Sequence, residues 1–238
     1  MTAGRGLVAV LACCALLPAA AQAQDLDALL AGDASLSARA MQLIALLTVL
    51  SLAPGIAITV TCFPFVVTVL SILRQAIGLQ AAPPNMLIVS LALFLTYFVM
   101  EPVFAEAWTE GLRPLSEGTL DVEAAFAATV DPFRRFMAAR VDAETLEHLR
   151  ALRPSAEADA LSVLVPAFLL SEIARAFQIG FLVFMPFLVI DMVAAAVLMS
   201  MGMMMVPPAI VSLPFKLAFF VVVDGWTLVA GALVQSYV

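Results

Sequence analysis

The sequence predicts an all-α membrane protein in which two long, kinked hydrophobic helical hairpins flank a polar helical insert. The 238-residue chain is 64% hydrophobic and 12% charged, and its mean hydropathy is +1.09, whereas about a quarter of the residues of a soluble domain are charged. The charges are also unevenly placed, because eleven acids and six arginines fall between residues 105 and 160. The net charge of −7 excludes nucleic acid as a ligand class.

The first 23 residues have the pattern of a cleaved signal peptide. Arg5 precedes an apolar run over residues 7–17, and Ala21-Gln22-Ala23 supplies the small residues of a cleavage site. The mature chain is therefore expected to begin outside the cytoplasm with a polar segment over residues 24–40. A lipoprotein signal ending at Cys13 is the alternative, although it would have a very short apolar run.

Residues 41–104 predict the first hydrophobic hairpin. Its first arm, residues 41–73, is longer than the roughly 20 residues needed to span hydrocarbon. It is interrupted by Pro54-Gly55 and by Pro64, so we expect a broken or kinked helix. The second arm is predicted to stop at Glu101-Pro102.

Residues 105–160 predict a polar, mostly helical insert on the extracytoplasmic side. The proline pairs Arg113-Pro114, Asp131-Pro132 and Arg153-Pro154 are expected to break its helices. The signal peptide sets this orientation, although arginines near the span ends run against the positive-inside rule.

Residues 161–238 predict the second hydrophobic hairpin, whose arms join at a loop over residues 201–208. Pro207 and Pro208 lack backbone donors and push the residues before them out of the α region. The first arm is therefore expected to end near Gly202.

The loop carries three consecutive methionines, Met203, Met204 and Met205. A helix turns about 100° per residue, so they would not face one partner from a helix, whereas a loop allows it. Methionine is apolar, unbranched and adaptable, which suits a seal without a fixed shape. The alternatives are ordinary packing, or soft ligation of Cu(I) together with Met199 and Met201.

Other candidates for metal binding or catalysis are few. Cys62 is the one cysteine beyond the signal peptide, which predicts a small buried side chain rather than a disulfide or metal thiolate. The lone histidine, His148, lies in a helical pattern and is predicted to be a solvated surface residue. No metal or cofactor is expected. The sequence has no HExxH motif, nucleophile and base pair, paired catalytic aspartates or phosphate-binding loop, so no catalytic residue is proposed.

Five ionisable residues interrupt the second hairpin: Glu172, Arg175, Asp191, Lys216 and Asp224. Charges at membrane depth are costly and normally face a partner. Glu172 and Arg175 can pair locally at a spacing of three, and pairs between hairpins or between copies of the chain are equally open. Structural neutralisation is preferred over a proton or ion relay, because no carboxylate pair or histidine completes a relay. The sequence identifies no partner for Asp191.

Two long motifs resemble the FliP/SctR family of type III export gate subunits. The stretches PAFLLSEIARAFQIGF (166–181) and PFKLAFFVVVDGW (214–226) are similar to the two family signatures. Shorter stretches resemble the family pattern in the same order: VLSILRQAIGLQAAPPN, LALFLTYFVMEPVF and MGMMMVPP. The chain departs from the pattern at TCFPFVV, where Pro64-Phe65 stands in place of a usual basic residue.

The resemblance implies a non-enzymatic, pore-forming subunit of a protein export gate in the bacterial inner membrane, at the flagellar basal body. Five copies would assemble with FliQ-like and FliR-like subunits into a helical ring or cone that extends into the periplasm, beside FlhA-like and FlhB-like components. Unfolded flagellar proteins would be the substrates, and Met203, Met204 and Met205 would form a methionine gasket. In such an assembly Glu172 with Lys216, across a subunit boundary, is the preferred ion pair.

Two other functions remain as alternatives. The signal peptide and the Asp-Gly-Trp context favour the flagellar branch over an SctR-type subunit of a virulence injectisome. A small-solute or ion transporter that uses the buried charges is less favoured, because transporters often have two matching halves and these hairpins differ in length and charge.

Overall fold

The structure is a computed structural model that describes residues 36–79, 83–154, 160–203 and 205–237. These residues form helices and turns without any strand, so the predicted all-α class is confirmed. The predicted signal peptide and most of the 24–40 segment lie outside the described residues. Residues up to 54 and residues from 55 onward form separate units, which are described individually.

The first arm is broken directly before Pro64, one of the two predicted sites, and is continuous at the other, Pro54-Gly55. Helix α1 (Leu36–Thr59) runs through Pro54, and the break falls between it and helix α2 (Phe63–Ile77). Pro64 lies in the first turn of α2, where a missing backbone N–H removes no helical hydrogen bond. Within α1, the Thr48 hydroxyl donates to the Ile44 carbonyl at 2.7 Å, which satisfies a polar group in an apolar segment.

The second arm, helix α3 (Asn85–Ala107), continues past the expected stop at Glu101-Pro102. It is followed by a π-helical turn (Trp108–Leu112) and by the short helix α4 (Arg113–Ser116). The predicted boundary is wrong because one proline removes only one helical hydrogen bond, and packing on both sides offsets that loss. Beyond the proline, for example, the Phe104 ring packs against Phe133 at 5.8 Å between centroids.

The insert continues with helix α5 (Val122–Arg140) and helix α6 (Ala143–Leu152). Aspartates cap both helices: Asp121 accepts the Ala124 N–H at 3.2 Å, and Asp142 accepts the Thr145 N–H at 2.9 Å. The expected break at Asp131-Pro132 does not occur, since Pro132 is buried inside α5. Helix α6 ends at Leu152, directly before Arg153-Pro154, so a helix does end where this break was expected.

The second hairpin consists of helix α7 (Leu161–Ser200), helix α8 (Pro208–Val222) and helix α9 (Gly225–Gln235). Helices α8 and α9 meet at a bend of 61°. Among the described residues, the segments Ala40–Thr59, Asn85–Ser116 and Leu161–Ser200 are long and apolar enough to cross a membrane, and the bent pair α8 and α9 can supply a fourth span.

Helix α2 is the central helix of the larger unit. It contacts α3, α7 and α8, and its residues Phe65, Val69 and Leu73 are almost completely buried. Its closest approach is to α7 at Gly180, where an added Cβ would lie 2.4 Å from the Ile72 Cδ1 atom. A glycine at this position therefore lets the two helices pack closely and sets their register.

Candidate functional site: two ion clusters and the methionine loop

The first ion cluster surrounds Glu172, which is completely buried on α7. Its Oε1 accepts from the Arg140 Nε at 3.2 Å and from the Arg175 Nη1 at 3.5 Å. The Tyr237 hydroxyl donates to its Oε2. The locally predicted pair of Glu172 with Arg175 is present, and two further partners come from distant parts of the sequence. A buried carboxylate without such partners would carry a large desolvation cost.

Arg140 joins the insert to the second hairpin through contacts with two separate segments. It is the last residue of α5, and besides Glu172 its Nη1 donates to the Ser236 carbonyl at 2.6 Å. Its guanidinium carbon lies 3.7 Å from the centroid of the Tyr237 ring, a cation–π geometry. Arg140 thus contacts both α7 and the turn that follows α9.

The second ion cluster surrounds Lys216 on α8. Its Nζ donates to the Asp191 Oδ2 at 2.6 Å and to the Ala76 carbonyl at 3.1 Å. The Ser212 hydroxyl donates to the other Asp191 oxygen at 2.5 Å. Because Ala76 lies in the last turn of α2, where carbonyls lack helical partners, the ammonium also caps that helix. Lys216 therefore connects α2, α7 and α8.

The two clusters lie far apart, so the expected pair of Glu172 with Lys216 does not form within the chain. Both Glu172 and Asp191 are on α7, about 28 Å apart along the helix axis at 1.5 Å per residue. Lys216 is bound to Asp191, the residue for which the sequence identified no partner. Within the chain Glu172 is instead paired by Arg140 and Arg175, and a pair of Glu172 with Lys216 across a subunit boundary stays a prediction.

Sequence reasoning missed Arg140 because it lies in the polar insert, among five other arginines from which no local pattern separates it. No periodicity connects it with Glu172, which is 32 positions further along the chain. One signal was available: Arg140 stands directly before a helix end, where a basic side chain often reaches neighbouring carbonyls.

Asp224 lies apart from both clusters, at the bend between α8 and α9. Its backbone is left-handed, with φ at 49° and ψ at 51°, a conformation that aspartate tolerates better than most residues. The next residue, Gly225, leaves room for the Phe220 ring, since an added Cβ would lie 2.1 Å from that ring's Cε2. The Phe220 ring also meets Trp226 edge-on at 5.3 Å. The Asp-Gly-Trp sequence thus builds the bend.

The methionine loop begins with a regular helix stop at Gly202. Gly202 has φ at 74°, its N–H donates to the Met199 carbonyl at 3.0 Å, and the Met203 N–H donates to the Leu198 carbonyl at 3.0 Å. This pair of bonds is a Schellman motif, in which a left-handed glycine closes the last turn.

Prolines define the other end of the loop. Pro207 is extended, with ψ at 121°, and Pro208 begins α8. Met203 and Met205 are exposed, the latter at 97% of its surface. Met204 lies outside the described residues. The described loop side chains are thus available to contact other molecules.

The described residues contain no group of three His, Cys, Asp or Glu side chains placed to hold a metal ion. His148 is exposed on α6, and Cys62 is buried next to the first turn of α2. Neither residue extends the two ion clusters into a metal site.

These features define an all-helical membrane protein whose charges are paired inside the bundle and whose longest hairpin ends in a capped, exposed methionine loop. The chain belongs to the FliP family, whose sequence model matches residues 46–233.

Curated relatives agree with this assignment. The chain is 51% identical to the flagellar biosynthetic protein FliP of Caulobacter vibrioides, over 97% of this chain and 90% of the relative. It is 46% identical to the protein of the same name from Agrobacterium fabrum, over 86% of each chain. The Bacillus subtilis protein of that name is also 46% identical, over 83% of this chain and 91% of the relative. The predicted resemblance is confirmed.

Proposed function

We propose that this protein is a pore-forming subunit of the flagellar type III export gate, needed for flagellum biogenesis and for moving unfolded flagellar proteins across the bacterial inner membrane. Relatives named flagellar biosynthetic protein FliP support the flagellar role. The observation that supports the pore itself is the methionine loop, which is bounded by Gly202 and Pro207 and in which Met203 and Met205 are exposed.

The geometry of the loop suits a seal formed by several copies. A Schellman stop and two prolines hold the ends of the loop, so its position is defined while its methionine side chains remain adaptable. Met205 makes almost no contact within its own chain, because 97% of its surface is exposed. In a ring of copies such side chains fill a narrow channel against ions, and they fold aside for an unfolded polypeptide of any sequence.

Assembly with other chains accounts for the large apolar surface of α7. Phe181, Leu182 and Met192 are each more than half exposed although they lie on a helix apolar enough for a span. We propose that five copies cover these faces together with FliQ-like and FliR-like subunits, at the flagellar basal body. FlhA-like and FlhB-like components lie alongside, and the assembled gate extends into the periplasm.

The fold also supports the proposed orientation. Arg140 of the insert bonds to Ser236, so the turn after α9 lies at the insert end of the bundle. The methionine loop lies between α7 and α8, at the far end of the 40-residue helix α7 from the insert. An extracytoplasmic insert therefore goes with a methionine loop on the opposite, cytoplasmic side.

The test replaces Met203, Met204 and Met205 together with alanine and uses Met86→Ala, an exposed methionine in the first turn of α3, as the matched control. Ion leakage across the inner membrane, secretion of flagellar substrates and recovery of the assembled complex are measured in the same cells. Increased leakage from assembled complexes supports the seal. Unchanged leakage and unchanged secretion contradict it. Secretion of virulence effectors instead of flagellar substrates would assign the chain to an injectisome.

A further inference from the structure

Arg140 on α5 contacts both α7 and the turn after α9. The proposed export function gives no reason for this connection between three segments. Its side chain is 14% exposed and lies between the buried Glu172 and the ring of Tyr237. The Tyr237 ring also stacks on Phe136, one turn earlier on α5, at 6.0 Å with 14° between the ring planes. The same two α5 residues thus contact the turn after α9 and, through Glu172, the helix α7.

We propose that Ser236 and Tyr237 form a clasp that holds the C-terminal end of α5 and helix α6 against the second hairpin, and that this segment moves away when the clasp opens. The clasp consists of three contacts: the Ser236 carbonyl on Arg140, the Tyr237 ring on Arg140 and Phe136, and the Tyr237 hydroxyl on Glu172. This inference does not depend on the export function.

Few other buried side chains hold this segment in place. Helix α6 has no buried residue, and the last turn of α5 buries only Met137. The Asp142 N–H adds one hydrogen bond to the Ser171 hydroxyl oxygen on α7, at 3.0 Å. The earlier part of α5 stays in place, because Phe133 packs against Phe104 of α3 and Gly111 lies close to the α5 backbone at Thr129.

The apolar cluster beneath the clasp is small, with Met137, Leu164 and Phe168 as its buried members. Segments with few buried apolar contacts open at lower free energy than the global core. The three contacts of the clasp therefore supply a large share of the free energy that keeps this segment packed against the second hairpin.

The closed clasp is also incompletely satisfied. The Arg140 Nη2 is buried and has no hydrogen-bond partner within the part of the chain that the structure describes. A buried N–H group without a partner carries a desolvation cost, which hydration in the open state removes.

The test measures how fast a glutamate-specific protease cleaves α6 at Glu144 and Glu147, both exposed, in the full-length protein in detergent. Such a protease is unaffected by arginine substitutions. The variant Tyr237→Phe removes only the hydroxyl, and cleavage is expected to rise about tenfold because a hydrogen bond to a charged group is lost. The variant Tyr237→Ala also removes the ring contacts and is expected to raise cleavage further.

Three comparisons separate a clasp from general loss of stability. Arg135→Gln, on the same helix but in exposed ion pairs, is expected to change cleavage less than about twofold. Cleavage at Glu101 on α3 is expected to stay unchanged in every variant. The double variant Arg140→Gln with Tyr237→Phe is expected to open no more than Arg140→Gln alone, since contacts of one unit are not additive. Unchanged cleavage in Tyr237→Ala, or equal increases at Glu101, would overturn the proposal.

Discussion

Replacing Lys216 with methionine tests whether the second ion cluster holds the hairpins together. Methionine keeps most of the apolar stem and removes the ammonium, so the change isolates the charge. The ammonium makes two contacts, to Asp191 at 2.6 Å and to the Ala76 carbonyl at 3.1 Å. The Lys216 side chain is 7% exposed, whereas that of Asp191 is 37% exposed.

The exposures set the expected magnitude. Removing one partner of a fully buried ion pair costs about 3–5 kcal/mol, because the other charge is left unpaired. In the variant, the Asp191 carboxylate stays partly exposed and keeps its hydrogen bond from the Ser212 hydroxyl. The expected loss in the free energy of unfolding is therefore about 2–3 kcal/mol. The double variant Lys216→Met with Asp191→Asn leaves no unpaired charge, so it is expected to recover more than half of that loss.

The assay is denaturant unfolding of the purified protein in detergent, followed by loss of helical circular dichroism. Arg113→Met is the matched control, since its ion pair with Glu117 is more than half exposed on both sides, and it is expected to cost less than about 1 kcal/mol. A Lys216→Met protein as stable as the control would refute the reasoning. So would a double variant whose loss equals the sum of the two single losses.

Two further predictions concern packing and capping. Gly180→Ala places a Cβ 2.4 Å from the Ile72 Cδ1 and is expected to lower the free energy of unfolding by about 1–2 kcal/mol. Adding Ile72→Val removes that atom and should restore part of this stability. A lack of any rescue would disprove the steric cause. The pKa of Asp142 is held below its usual value because the Thr145 N–H and hydroxyl donate to its carboxylate. Its contribution to stability is therefore present above pH about 4 and lost as the pH falls through the folded-state pKa. Asp142→Ala should lower the thermal midpoint by about 2–4 °C at neutral pH, and a difference from the parent that did not shrink toward pH 3 would contradict this.

Sequence patterns predicted the helix ends well where a local motif sets them. Gly202 and the following prolines predicted the stop of α7 and the start of α8, because a left-handed glycine and a missing N–H act within one turn of the chain. Prolines inside helices misled the prediction. Helices continue through Pro54, Pro102 and Pro132, since neighbouring packing offsets one lost hydrogen bond.

The sequence by itself determined the all-helical membrane class and the family motifs, because hydropathy and helical spacing are properties of short stretches of chain. It offered the local pair of Glu172 with Arg175 only as one of several possible pairs. Only the tertiary structure decided that Arg140 and Tyr237 complete the first cluster and that Lys216 binds Asp191 and Ala76. Charges brought into an apolar bundle must find partners, but which ones they find depends on how distant helices align. Helix packing sets that alignment, as at the close approach of Gly180 to Ile72.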